Sequence, residues 1–154
     1  KGVVAVEAHG MKGHGLKDVG SGLTDRSNAQ MFAVVCGVIL TVVGVVAMIV
    51  NFDFSVGGSI TAEKLLFMDV NGWSGLLMLL TGIVLTVGSR HAKSARRACL
   101  GVGVVYLVVT VWSLFTASVA GIFPVNDLTA IIYAAIGVLG VTAGLAPDPP
   151  ESDG

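Results

Sequence analysis

Four long apolar stretches alternate with polar segments along this chain. Residues 31–50, 70–89, 98–123 and 128–146 hold no Asp, Glu, Lys or Arg. A bilayer core about 30 Å thick takes roughly 20 helical residues, at about 1.5 Å each. The stretches are continuously apolar and do not alternate, so each predicts a helix. The predicted spans are 31–50, 70–89, 98–120 and 128–146, the last closed by Pro147. The first could be confused with a signal peptide, but its apolar core is long and its polar lead, residues 1–30, exceeds that of a signal. A retained helix is expected. The fold class read from this pattern is all-α, a polytopic four-helix transmembrane bundle. A polar, Gly-rich tail (1–29) precedes it, and an acidic, Pro-rich tail (147–154) follows.

Composition agrees. The chain is 54% hydrophobic and 12% charged, against about 25% charged in soluble domains, and its mean hydropathy is +0.86. A net charge of -1 gives no reason to expect a nucleic-acid partner. The local distribution of charge says more. Lys1, Lys12, Lys17 and Arg26 precede span one, and Arg90, Lys93, Arg96 and Arg97 lie between spans two and three. Lys64 alone falls on the opposite side. By the positive-inside rule both termini are expected in the cytoplasm, with 51–69 and 121–127 facing outward. Phe52, Phe54, Phe67, Trp73 and Phe123 fall near that outer boundary, where aromatic rings settle.

Inside a membrane, helices associate through small residues that let backbones approach. Each span carries such a stripe. Gly37 and Gly44 mark span one, Gly75 and Gly82 span two, Gly103 span three, and Gly137, Gly140 and Gly144 span four. Gly140 and Gly144 form a GxxxG pair that suits packing within the chain or between two copies. Cys36 and Cys99 read as small packing residues near the cytoplasmic ends of their helices.

Outside the spans, residues 61–68 predict a short interfacial helix that dips Leu65 and Phe67, with Leu66 and Met68, into lipid or a partner. Asp69 and Asn71 can cap span two, and Asn126 and Asp127 span four. The N-terminal tail repeats His9-Gly-Met-Lys12 as His14-Gly-Leu-Lys17. Glu7, His9 and His14 match no standard zinc spacing, so no metal is expected. The tail is too polar and Gly-rich to fold alone, which makes His9, Lys12, His14 and Lys17 candidate docking residues for a larger assembly. The chain opens on Lys1, and a start segment can precede it.

No span offers an acid, base or nucleophile at depth, and no HExxH, GxSxG or P-loop is present. No catalysis and no cofactor are expected. The hydroxyls of Thr81, Thr86, Tyr106, Thr110, Ser113 and Tyr133 suit hydrogen bonds within the bundle.

Residues 31–144 resemble a family of small four-span actinobacterial membrane proteins known only as a domain of unknown function. The resemblance rests on Val70-Asn-Gly-Trp, Gly82, the short basic loop, Gly101-Val-Gly-Val-Val-Tyr and Pro124-Val-Asn-Asp. It implies a four-span fold and a high-GC bacterial host, and supplies no activity. Family members often follow Asn-Gly-Trp with His and carry further His in spans two and four. Ser74 and Met78 stand in span two here, and span four has no His, so no histidine-dependent ligand carries over. The reading that follows is a non-catalytic accessory subunit of a larger bacterial membrane complex, with a respiratory or other energy-converting complex the first class expected, docked through the N-terminal tail and the 51–69 loop and otherwise surrounded by lipid. A small oligomeric transporter or channel is the second reading, and a lipid- or quinone-binding membrane protein the third.

Overall fold

The computed structural model describes residues 26–60, 62–116 and 118–147. Four α-helices carry the fold: α1 (Asn28–Val50), α2 (Gly72–Gly88), α3 (Ala92–Ser113) and α4 (Asp127–Leu145). Short hairpins join α1 to α2, β1 (Glu63–Leu65) with β2 (Met68–Val70), and α3 to α4, β3 (Ser118–Val119) with β4 (Phe123–Pro124). The candidate docking residues His9, Lys12, His14 and Lys17 lie outside the described residues, as does the acidic tail.

Three of the four helices start where the sequence supplies a side-chain cap. Ser27 and Gln30 form a reciprocal capping box at α1, and Asn71 with Ser74 does the same at α2. Asn126 accepts from the amide of Thr129 at α4, where Asp127 in the first turn adds a favourable charge. Helices α1, α3 and α4, of 23, 22 and 19 residues, are long and apolar enough to cross a membrane. Helix α2 is equally apolar but has 17 residues, a length of about 26 Å.

Two sequence expectations are corrected. The third helix begins at Ala92 and ends at Ser113, where 98–120 was expected. Lys93, Arg96 and Arg97 therefore stand on its first two turns. Lys and Arg are good helix formers, so a run of cations at a membrane boundary does not mark a loop. At the other end Leu114 closes the helix, and Ala120 and Gly121 take left-handed φ of 54° and 67° to turn the second hairpin. The short helix expected over 61–68 is instead the β1–β2 hairpin, paired Glu63 with Val70 and Leu65 with Met68. An isolated eight-residue helix is marginal in water. Strand pairing satisfies the same backbone groups and delivers Asn71 to its capping position.

Packing is pairwise. Helix α1 lies along α2, and α3 along α4, with lighter contact between the pairs. The two pairs repeat one plan. Ala33, Gly37, Leu40 and Gly44 of α1 recur at identical spacing as Cys99, Gly103, Tyr106 and Thr110 of α3. Asn71, Ser74, Met78 and Gly82 recur as Asn126, Thr129, Tyr133 and Gly137. At the middle of each pair two glycines face each other. A Cβ on Gly37 would fall 3.0 Å from the Gly82 carbonyl, and one on Gly82 2.8 Å from that of Gly37. For Gly103 and Gly137 the matching distances are 2.9 and 3.1 Å. Each half holds two helices, so the halves run in the same direction, a parallel repeat.

The close approach sets an expected stability difference. A Cβ at Gly44 would lie 2.5 Å from the amide nitrogen of Leu79. Backbone cannot yield as a side chain tip can, so Gly44→Val should lower unfolding stability in detergent by about 1–3 kcal/mol. Gly101 has nothing within 4 Å of its added Cβ, and Gly101→Ala should leave the unfolding midpoint unchanged or raised. An unchanged or raised midpoint for Gly44→Val, as helix propensity alone would give, would show that backbone contact at Gly44 does not control the fold.

Candidate functional site

The predicted packing glycines all stand on buried faces. Gly75 approaches Met48, Gly140 lies against the backbone of Cys99 and Gly103, and Gly144 meets Leu100 and the Arg96 carbonyl. The GxxxG pair of α4 thus faces α3. Within the second half sits an aromatic pair, Tyr106 of α3 and Tyr133 of α4, with ring centroids 5.1 Å apart in an edge-to-face arrangement. The hydroxyls of Tyr106 and Thr81 are 3.1 Å apart, which joins α3 to α2. Tyr133 is fully buried, and its hydroxyl finds no hydrogen-bond partner among the described residues. Thr86, Thr110 and Ser113 bond backbone carbonyls of their own helices. Cys99 is buried, and its thiol donates to the Ala29 carbonyl at 3.4 Å; Cys36 is half-buried and also free. No three His, Cys, Asp or Glu side chains come together among the described residues.

The hairpin end of the molecule is stitched by asparagines. Asn71 is 1% exposed. Its side chain caps α2 and donates across to the Ile122 carbonyl at 2.7 Å. Asn126 caps α4 and donates to the Phe67 carbonyl at 3.1 Å. The Gly57 amide donates to the Gly121 carbonyl at 2.8 Å. Each loop is thereby tied to the other half. Phe54 packs edge-on against both Phe52 and Trp73, and the Trp73 indole donates to the Phe54 carbonyl at 3.0 Å.

Of the docking residues proposed on this loop, Leu65 is half-buried in β1, whereas Phe67 is 74% exposed. Beside it Leu66 is 84% exposed and holds φ at +59°. Leu114 and Phe115, also well exposed, stand at the same end of the molecule. Sequence reasoning had placed these two within the third span, where nothing distinguishes them from lipid-facing residues.

Three helices long and apolar enough to cross a membrane, packed through glycine, mark an all-helical protein of membrane type. Residues 30–146 match the model of the family described as Domain of unknown function (DUF4383), and the chain belongs to that family. No curated protein and no solved structure matches the chain.

The unpartnered hydroxyl has a measurable consequence. A buried polar group without a partner costs about 1–3 kcal/mol. Tyr133→Phe keeps the ring and removes that group, so stability should hold or rise. Tyr106→Phe removes a bonded hydroxyl and should lower stability by about 1 kcal/mol. Denaturant titration of both variants in one detergent checks the opposite signs.

Proposed function

We propose that this chain is a four-span, non-catalytic accessory subunit of a larger complex in a bacterial plasma membrane, docked through the tip of its first hairpin. The carrying observation is Leu66. A two-residue hairpin turn ordinarily uses Gly or Asn where φ is positive, and a bulky residue there costs of order 1–3 kcal/mol. This turn carries Leu66 at positive φ and Phe67 beside it, both exposed. A loop selected only to connect two helices has no use for such a pair. An apolar partner surface does, because aromatic and aliphatic anchors seated in a pocket carry most of an interface's energy.

Four spans follow from treating α2 as a short crossing, since 17 residues reaches the lower limit for a transmembrane helix. Eight of the nine Lys and Arg residues then lie on one side. The positive-inside rule makes that side cytoplasmic and puts the hairpins outside.

Two experiments test this reading. Gly58→Cys, exposed on the same side and outside the docking tip, should react in intact cells with a membrane-impermeant maleimide, whereas Ser94→Cys should react only after permeabilisation. The reverse pattern would overturn the orientation. Purification through a C-terminal tag in mild detergent should recover a large complex near stoichiometry. Leu66→Ser with Phe67→Ser should reduce that recovery at least tenfold while membrane insertion is unchanged. A wild-type chain that runs alone as a monomer or homo-oligomer would sink the accessory reading, and flux measurements in liposomes would then test the transporter alternative.

A further inference from the structure

We propose that the start of α3 and the end of α4 form a binding site for the phosphate headgroup of an anionic phospholipid. Lys93, Arg96, Arg97, Leu100, Gly144 and Leu145 line an open cavity of about 490 Å³ there. The inference rests on the membrane-spanning reading above, which brings this end to the cytoplasmic leaflet.

The comparison between the two halves carries the argument. Arg96 Nε donates to the Gly144 carbonyl at 3.1 Å, tying α3 to the end of α4. At the equivalent place in the first half, Gln30 Nε2 donates to the Ser89 carbonyl, also at 3.1 Å. The bond that closes each helix pair therefore requires a donor and no charge. The positions equivalent to Lys93 and Arg97 are Ser27 and Met31, both neutral. Lys93 and Arg97, two exposed cations on the first turns of the second half, thus exceed what the packing needs.

The surroundings suit an anion. The α3 N-cap, His91, makes no side-chain capping bond, and the first turn contains no acidic residue. The first amides of a helix lack internal partners and carry the positive end of its dipole, so they add to the same field. Lys93 and Arg97 are exposed and can reach a headgroup. Leu100 and the exposed Leu145 supply an apolar wall on the membrane side for the acyl chains. Basic pockets between helices at the cytoplasmic boundary have the chemistry that anionic headgroups require. A free phosphate would use the cations and leave the apolar wall bare.

The test uses the full chain, purified in neutral detergent, with phosphatidylglycerol and phosphatidylcholine as probes and native mass spectrometry as the readout. Wild type should retain phosphatidylglycerol in clear preference to phosphatidylcholine. Lys93→Gln with Arg97→Gln should weaken that binding roughly 25-fold, about fivefold for each cation, and leave phosphatidylcholine unaffected. Truncation after Pro147, which removes the acidic tail, should not abolish the preference. Equal binding of the two lipids, indifference to the double variant, or displacement of the lipid by millimolar inorganic phosphate would overturn the proposal. Alkaline carbonate extraction, run in parallel, separates the two readings. Release from the membrane would sink the spanning reading itself, whereas a firmly inserted chain without lipid preference overturns this site alone.

Discussion

Lipid tails are as apolar as leucine, so a leucine gains little by leaving them for another helix. What holds apolar helices together is close approach, where each backbone supplies the other's van der Waals contacts. In this protein the approach is made at facing glycines, Gly37 with Gly82 and Gly103 with Gly137, where no Cβ fits on either side. The stripes above and below them follow. Gly44 opens onto Leu79, Gly75 onto Met48, and Gly144 onto Leu100. The valines and isoleucines on the opposite faces are left exposed, as expected where hydrocarbon is the solvent.

A seam fixes how near two helices lie, but it fixes the join between the two pairs only weakly. Polar contacts at the ends supply that. Asn71 and Asn126 each cap one helix and hold the loop of the other half. At the opposite end the Cys99 thiol reaches the Ala29 carbonyl across the same boundary. In the middle the hydroxyls of Thr81 and Tyr106 meet. Buried groups such as the hydroxyls of Thr81 and Tyr106 and the Cys99 thiol require partners, and each bond aligns the halves as well as satisfying a donor.

The seams were legible in the sequence because small residues at steps of three and four have one physical use in an apolar helix. The asparagine caps were legible too, since Asn before an apolar run accepts from the first turn. Their second role was not, because a donor aimed at Ile122 or Phe67 depends on where another loop lies. The start of α3 was missed by treating Lys93, Arg96 and Arg97 as a loop signal, although their helix propensity is high. The β1–β2 hairpin was missed because a short apolar run fits helix and strand alike, and only the pairing of Glu63 with Val70 decides it. Leu66 could not be singled out from Leu65 and Met68 until its φ was known.

The parallel repeat shows which features belong to the scaffold and which are additions. The asparagine caps, the glycine pairs and the side chain-to-carbonyl bond at each closing end occur twice, so the fold alone accounts for them. The differences need another account. Leu40 and Met78 in the first half become Tyr106 and Tyr133 in the second. Tyr106 uses its hydroxyl across the boundary, while that of Tyr133 has no partner among the described residues. Ser27, Gln30 and Met31 become Lys93, Arg96 and Arg97. The turn at Leu66 and Phe67 is apolar and two residues long, whereas the second hairpin turns through Ala120 and Gly121. A repeat built only to pack would hold its halves alike at these places. Their divergence puts the chain's individuality at the hairpin tip, the tyrosine pair and the basic end of α3, and leaves the seams as common support.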